Sequence, residues 1–283
     1  MMPAEYLQLL SDPSAHRAAL LAALAAGGVA AEEAGERGWR LTGVASRHAL
    51  LQRLLPLARQ EGAVIALRSG ERPPRAVLFD LDSTLIACEF LDELAARCGR
   101  SAEIAPLTEL TMQGAVPFGA GYVRRIALLA GTPLATADAA IAALPLTAGA
   151  EALLAGLRRQ GVPTAIVTGG WARAGAAVQQ RLGIDALFAS ELETAGGRMT
   201  GRLAGPLMDE RAKVEAAARF CASCGCRLAE AAAVGDGAND LGMLAAAGCA
   251  VLFDARPQAP QAPRPQLDVL EPLFIPQDFP TKP

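Results

Sequence analysis

The 283-residue sequence has little of several features that mark specialised protein classes. Six cysteines in a chain of this length are too few for a disulfide-stabilised scaffold. A net charge of −3 gives no basic surface for nucleic acid. The start shows no secretory signal, and the apolar stretch 18–31 contains Gly27 and Gly28 and is shorter than the roughly 20 residues of a membrane span. We therefore expect a cytoplasmic protein that acts on a small molecule, with no nucleic-acid or membrane partner.

The first part of the chain is predicted to form a small α+β unit. Hydrophobic residues make up 52% of the sequence, which is enough for a substantial core. Apolar periodicity predicts the order β-α-β-β-α-β, which is typical of a ferredoxin-like fold. The predicted strands cover 6–10, 29–34, 39–44 and 63–67, and the predicted helices cover 14–26 and 48–60.

This order resembles an ACT domain, an amino-acid-sensing module. The turn Asp12-Pro13-Ser14 lacks the glycine that such domains usually have there. We therefore favour a role in packing or in homodimer formation over amino-acid binding for this unit.

A polar, proline-bearing linker at 71–75 separates the N-terminal unit, 1–72, from a second unit, 73–283. Short apolar runs alternate with helical patterns in the second unit, which predicts a doubly wound α/β sheet of parallel strands. A helical insertion at about 88–147 forms a cap, and the proline-rich stretch 255–266 is predicted to be an extended surface segment. The predicted parallel strands cover 76–79, 164–167, 231–234 and 250–253.

Two carboxylates follow the first of these strands, in Asp80-Leu81-Asp82. Residues two apart on an extended chain point to the same side, so both carboxylates can face one ligand. An ordinary aspartate titrates near ~3.9, so Asp80 is expected to be ionised and able to attack phosphorus. The charge of Asp80 favours the protonated form of Asp82, as a general acid requires. Taken alone, the pair is weak evidence and favours a polar strand end with a helix cap over a catalytic role.

Three further groups have the residue types that a phosphate and a cation require. Thr168-Gly169-Gly170 follows another strand and offers a hydroxyl and backbone N–H groups to phosphate oxygens. Lys213 can neutralise phosphate charge. The string 235–240 places Asp236 beyond a strand end and Asn239 and Asp240 in the next helical turn, and such oxygen ligands suit Mg²⁺. Because the carboxyl ends of parallel strands share one edge, we expect all these groups to converge.

With these motifs in this order, residues 76 to about 254 resemble the phosphoserine phosphatases, a branch of the haloacid dehalogenase superfamily. The resemblance implies hydrolysis of L-phosphoserine, the last step of serine biosynthesis, through a phospho-aspartate. It further implies the roles of the core residues. The nucleophile is Asp80 and the general acid/base Asp82; Mg²⁺ is held by Asp80, Asp236 and the backbone carbonyl of Asp82; Thr168 and Lys213 bind the phosphoryl group; Asp240 orients Lys213; and Gly169 and Asn239 line the site.

The resemblance also assigns four cap residues to the substrate. Aligned without gaps from Asp80, Glu89 falls at the position that binds the ammonium group and Arg125 at the position that binds the carboxylate. Met112 and Phe118 fall at the positions of two apolar contacts. An arginine–carboxylate fork is bidentate and therefore selective.

Several alternatives remain open at this point. The same chemistry on another small phosphomonoester, or phosphoryl transfer to an alcohol such as homoserine, would use the same motifs. A non-catalytic amino-acid sensor is a third hypothesis, against which the intact acidic set argues. The cysteines at 221, 224 and 226 lack a nearby histidine as a fourth metal ligand, so packing is favoured over zinc binding.

Overall fold

The computed structural model describes residues 5–11, 13–35, 37–70, 72–112, 115–256 and 265–275. Within these residues, one nine-stranded sheet and a separate two-stranded hairpin are formed. The strands are β1 (Glu5–Leu9), β2 (Ala30–Glu33), β3 (Gly38–Thr42), β4 (Ile65–Ser69), β5 (Val77–Phe79), β6 (Thr164–Trp171), β7 (Ala186–Ser190), β8 (Leu192–Ala195), β9 (Arg198–Leu203), β10 (Ala232–Gly235) and β11 (Cys249–Leu252).

Helices cover both faces of the sheet and form a layer above one of its edges. None of the helices in the described residues has the length and hydrophobicity of a membrane-spanning segment. The helices are α1 (Pro13–Ala26), α2 (Arg47–Glu61), α3 (Phe90–Arg97), α4 (Ser101–Met112), α5 (Phe118–Leu128), α6 (Leu134–Ala142), α7 (Ala150–Arg159), α8 (Ala172–Leu182), α9 (Glu210–Ser223), α10 (Leu241–Ala246) and α11 (Glu271–Phe274).

The N-terminal unit has the predicted order of strands and helices, β1-α1-β2-β3-α2-β4. Its strands pair antiparallel in the order β2-β3-β1-β4, which is the ferredoxin-like arrangement. The last strand begins two residues later than predicted, because the backbone N–H groups of Gly62 and Ala63 still bond to the final turn of α2. The turn 12–14 that bears on amino-acid binding lies outside the described side chains, so the ACT resemblance stays a prediction.

The second unit contributes five parallel strands in the order β11-β10-β5-β6-β7. Four of them were predicted. The fifth, β7, was missed because its sequence Ala-Leu-Phe-Ala-Ser has no β-branched residue and no clear alternation. Buried apolar side chains pack on both faces of the sheet, as a doubly wound fold requires.

The sheet continues across the linker between the two predicted units. Strand β4 pairs antiparallel with β11, with Ile65 opposite Leu252 and Arg68 opposite Cys249. Arg47, at the start of α2, donates to the backbone oxygens of Ala245 and Ala247 at the end of α10, at 3.2 and 2.9 Å. The predicted domain boundary at residue 72 stays a prediction, since β4 before the boundary pairs with β11 after it.

The predicted cap is helical and consists of α3, α4, α5 and α6. The hairpin β8–β9 was not predicted, and it packs against α5. At Gly201 of β9, an added Cβ would lie 2.9 Å from the Cβ of Ala130 and 3.1 Å from the backbone oxygen of Ile126. Glycine therefore permits the close packing of this hairpin against α5.

The prediction of an extended surface segment at 255–266 is wrong at its start. Ala255 is fully buried and its backbone N–H donates to the oxygen of Ser83 at 2.7 Å. Residues 257–264 lie outside the described part of the chain. Cys221 and Cys226 are free thiols buried in the core, in line with a packing role.

Candidate active site

The predicted polar groups meet at the carboxyl edge of the parallel strands. Asp80 directly follows β5, Thr168 lies within β6, and Asp236 directly follows β10. The backbone N–H of Asp80 donates to the oxygen of Val234 at 2.9 Å, which fixes the two neighbouring strand ends together. The convergence expected from the sequence is therefore present.

Three carboxylates form a buried cluster at this edge. Single oxygens of Asp80, Asp236 and Asp240 all lie within 4.8 Å of one another. In the described part of the chain this is the one cluster of potential metal ligands. Burial is the largest cause that raises the pKa of Asp236 well above its ordinary value, and it also raises that of Asp240, to about 7.

Lys213 lies against this cluster with its side chain fully buried. Its Nζ is 2.9 Å from Asp80 Oδ1 and 2.7 Å from Asp240 Oδ1. Burial opposes the charged form, but the negative charges of Asp240 and Asp80 outweigh it and raise the pKa of Lys213. The lysine is therefore cationic and held where a phosphoryl group beside Asp80 would meet it.

The cluster fits a divalent cation by its donor chemistry. The three carboxylates are buried close together, with Lys213 against Asp80 and Asp240 and Arg256 against Asp236, and such like charges repel unless positive charge lies among them. Carboxylate oxygens are the ligands that Mg²⁺ and Ca²⁺ accept. Asp240, which was predicted to orient Lys213, does contact it and also belongs to the carboxylate cluster.

Asp82 occupies a different environment two residues along the chain. Its Oδ1 accepts from the backbone N–H of Phe90 at 2.7 Å. Burial first, and then the charge of Glu89, raise the pKa of Asp82 to about 8, although the Phe90 hydrogen bond opposes the shift. A Cβ on Gly170 would lie 2.8 Å from Asp82 Oδ2, so glycine is needed for this approach. At neutral pH, Asp82 is therefore a carboxylic acid with a proton to donate.

The turn after Asp82 is strained and carries a contact to the cap. Ser83 has a φ of +55°, which is the left-handed region and is unfavourable for a non-glycine residue. Its hydroxyl donates to Glu89 Oε1 at 2.8 Å. This hydrogen bond therefore fixes the Glu89 carboxylate to the turn that follows Asp82.

The cap supplies one acidic and one basic side chain to the same pocket. Arg125 is 2% exposed, and its Nη1 lies 3.7 Å from Glu89 Oε2. The same Nη1 donates to Thr108 Oγ1 at 3.2 Å, and that hydroxyl donates to Asp92 Oδ1 at 2.6 Å. Helices α3, α4 and α5 thus fix the position of Arg125 together.

Most of the predicted site residues line this one pocket. Lys213 contacts Asp80, which lines the pocket, and Asp240, whereas the side chain of Met112 lies outside the described part of α4. The predicted residues that line the pocket are Asp80, Asp82, Glu89, Phe118, Arg125, Thr168, Gly169, Asp236 and Asn239.

Tyr122 also lines the pocket, although no sequence motif includes it. It lies on α5 between Phe118 and Arg125, and its ring stacks on that of Phe118 with centroids 5.8 Å apart. A tyrosine on the buried side of a helix is indistinguishable by pattern from a core residue. Its contact with the site could be found only once α5 was placed.

Arg256 was missed as well, because its stretch of sequence was assigned to the surface. Its guanidinium is held by Asp254, whose Oδ2 is 2.6 Å from Nη2, and it reaches Asp236 Oδ2 at 3.4 Å. Asp254 in turn lies 4.0 Å from Nε of Arg59 on α2. Arg59, Asp254, Arg256 and Asp236 therefore form a chain of ion pairs from the N-terminal unit to the carboxylate cluster.

Comparisons with known proteins agree with this geometry. The sequence model of the haloacid dehalogenase-like hydrolases matches residues 77–245. A phosphoserine phosphatase from Streptomyces coelicolor is 39% identical over 207 residues, which cover 73% of this chain and 50% of that protein. The chain spans about half the length of the curated relatives that it matches first.

Two solved structures are similar to the chain over different extents. A phosphoserine phosphatase that holds an analogue of its phospho-aspartyl intermediate is 34% identical, with a TM-score of 0.60, over 62% of this chain and 85% of the solved one. A haloacid dehalogenase family hydrolase from Salmonella enterica is 25% identical, with a TM-score of 0.67, over 98% of this chain and 100% of the solved one. From the match of the family and the arrangement of its motifs, the chain belongs to the haloacid dehalogenase-like hydrolases and is a relative of the phosphoserine phosphatases among them.

Proposed function

We propose that the protein hydrolyses L-phosphoserine to L-serine and phosphate with Mg²⁺ as cofactor. One observation carries the proposal: Glu89 and Arg125 extend from the cap into the pocket that also contains Asp80 and Asp82. A small substrate with an ammonium, a carboxylate and a phosphate would meet a complementary group at each position.

Asp80 acts as the nucleophile on phosphorus. Its carboxylate oxygen bonds to the phosphorus atom as the bond from phosphorus to the serine oxygen breaks, which gives a phospho-aspartate. Lys213, the Thr168 hydroxyl and the backbone at Gly169 hold the phosphoryl oxygens, and Asp240 keeps Lys213 in position. Asp80, Asp236 and the backbone carbonyl of Asp82 would hold Mg²⁺, which would supply positive charge to offset the repulsion between carboxylate and phosphate.

Asp82 provides the proton transfers. It gives its proton to the serine oxygen as that group leaves, so that serine departs as an alcohol. As the resulting carboxylate, it then takes a proton from the water that attacks the phospho-aspartate. That attack breaks the bond between Asp80 and phosphorus, releases phosphate and restores both side chains. The raised pKa of Asp82 supports the first of these roles.

The cap selects the substrate. Glu89 binds the ammonium group and Arg125 the carboxylate, while Phe118 and Met112 supply apolar contacts and Asn239 lines the wall. Hydrogen bonds to charged groups contribute about 1.5–3 kcal/mol each, so loss of either contact should lower kcat/KM by roughly ten to a few hundred fold.

A phosphate-release assay with Mg²⁺ tests the proposal. We expect turnover of L-phosphoserine to exceed that of phosphoethanolamine, which lacks the carboxylate, and that of glycerol phosphate, which lacks both charged groups. Asp80→Asn should abolish release from all three. Similar turnover of the three substrates would contradict the assignment to phosphoserine.

The same assay separates the alternatives. Phosphorylated homoserine formed when homoserine is added would identify a phosphotransferase. Absence of turnover on every phosphomonoester would favour a non-catalytic amino-acid sensor, although the intact set of Asp80, Asp82, Lys213 and Asp236 supports an enzyme.

We infer two further properties of the whole protein. A cytoplasmic location is supported by the six cysteines, all free thiols, which are typical of a reducing compartment. A homodimer through the N-terminal unit is supported by its strand and helix order, which resembles that of ACT domains. Light scattering on the purified protein measures this association directly.

A further inference from the structure

The hydroxyl of Tyr122 is a buried polar group without a hydrogen-bond partner among the described residues. The side chain is 2% exposed, and its pocket is the one that contains Asp82 and Arg125. A buried donor that is unpaired in the free protein is costly, and such groups are retained where a ligand satisfies them. The hydroxyl is therefore placed to meet a substrate atom.

A second unpaired donor lies beside it. Nε of Arg125 is also buried and has no partner in the described part of the chain, whereas Nη1 of the same guanidinium is engaged by Thr108. Tyr122 and Arg125 are three residues apart on α5 and share a helix face. The Arg125 guanidinium carbon lies 5.8 Å from the centroid of the Tyr122 ring. We therefore expect the two unpaired donors, which lie on the same face of α5, to bind the same acceptor group.

The chemistry of this acceptor follows from the donors. A phenol and a guanidinium both donate, so their common partner is an anionic oxygen group. Burial, and then the negative charge of Asp82, raise the pKa of Tyr122, so the phenol keeps its proton. The phosphoryl group has its own ligands on the core side in Lys213 and Thr168. The remaining anionic group of the proposed substrate is its carboxylate.

We propose that Tyr122 is a specificity-determining residue whose hydroxyl donates, together with Arg125 Nε, to the carboxylate of the substrate. This inference rests on the proposed function and extends it to a residue that the motifs do not include. Its stacking on Phe118 fixes the ring, so the hydroxyl is positioned before the substrate arrives.

Tyr122→Phe tests this inference, because it removes one oxygen and keeps the ring. We expect kcat/KM for L-phosphoserine to fall about tenfold, mainly through KM, and that for phosphoethanolamine to fall less than twofold. In the Asp80→Asn background, calorimetry should show that Tyr122→Phe weakens phosphoserine binding by a similar factor. Tyr6→Phe is the matched control, since Tyr6 lies on β1 in the N-terminal unit.

The melting temperature of the ligand-free protein provides a separate readout. Loss of a buried unpaired hydroxyl should leave it unchanged or raise it, whereas loss of a structural hydrogen bond would lower it. Equal losses of kcat/KM on phosphoserine and phosphoethanolamine, or no loss on either, would overturn the inference. If the unaltered protein does not prefer phosphoserine at all, the proposed function fails instead.

Discussion

Burial, together with two acidic neighbours, determines the proton affinity of Asp82. Burial and the charge of Glu89 raise its pKa to about 8, with Asp80 as a smaller contribution. The group is therefore protonated at neutral pH and ionises as pH rises through that value. An alkoxide leaving group needs this proton, whereas a nitrophenolate leaving group does not.

For Asp82, we expect kcat/KM on phosphoserine to fall above about pH 8, and to fall far less with p-nitrophenyl phosphate. Asp82→Asn should lower phosphoserine turnover by about 10²–10⁴ fold and remove this alkaline limb. Steady-state rates across pH with both substrates measure the effect. A loss that is equal for the two leaving groups would show that Asp82 does not act as the acid.

Gly170 offers a test of how closely Asp82 must approach the strand end. An alanine Cβ would lie 2.8 Å from Asp82 Oδ2 and 3.1 Å from Thr168 Oγ1, so both side chains must move. We expect Gly170→Ala to lower kcat by about 10² fold, because displacement of reacting groups by 1 Å has effects of this size. Gly205→Ala, whose Cβ would meet no atom within 4 Å, is the control. An unchanged kcat would contradict the tight placement.

Most of the core part of the site was predictable from sequence because its carboxylates and the Thr168 hydroxyl lie near or just beyond the ends of strands, whereas Lys213 lies on α9. Strand ends at Asp80, Thr168 and Asp236 must meet wherever the strands are parallel, so local pattern alone places them together. Tyr122 and Arg256 were not predictable, since their partners lie on other elements. Their roles depend on how the cap and the C-terminal stretch pack, and apolar periodicity carries no such information.

The hairpin β8–β9 packs against the helix that carries Phe118, Tyr122 and Arg125. It escaped prediction because its sequence is polar and its strands are short. Its packing partner is α5, and Gly201 lies at the point of closest approach. The substrate side of the pocket is therefore supported by an element with no residue in the site.

For this hairpin, we expect Gly201→Ala to raise KM for phosphoserine and to lower the melting temperature. The residue has a φ of +79°, which costs about 1 kcal/mol for alanine, and the new Cβ would press on α5. Gly196→Ala is the matched control, because Gly196 has a φ of +56° in the same hairpin but no atom within 4 Å. The two variants should lose similar stability from backbone strain, and a KM increase in both would refute the role of the contact.

At the scale of the molecule, the seam between the N-terminal unit and the second unit consists of the backbone pairing of β4 with β11 and the contacts of Arg47. This side chain bonds to Glu5, to Ser69 Oγ at 2.7 Å and to the carbonyl groups at the end of α10. Helix α10 follows directly after Asp240, so the seam is connected to the carboxylate cluster. The sequence did not predict the seam, because strand pairing between distant segments leaves no local pattern.

We expect Arg47→Met to lower the free energy of unfolding by about 2 kcal/mol, since it leaves the largely buried Glu5 without its charge partner and several carbonyl groups unpaired. Urea unfolding followed by circular dichroism measures the change. Arg53→Met, an exposed position on the same helix, should have little effect. If both variants unfold like the unaltered protein, Arg47 does not hold the seam.

The antiparallel pairing of β4 with β11 has a consequence for how the chain can be divided. If the N-terminal unit and the linker were removed, strand β11 (Cys249–Leu252) would lose its neighbour β4 and become an edge strand. The sequence of β11 is apolar and uncharged. Natural edge strands often carry charged side chains that discourage pairing with a strand of another molecule, as β2 does with Glu32 and Glu33. We therefore expect such a shortened protein to self-associate through its open flank, so the first seventy residues also act as a shield against aggregation.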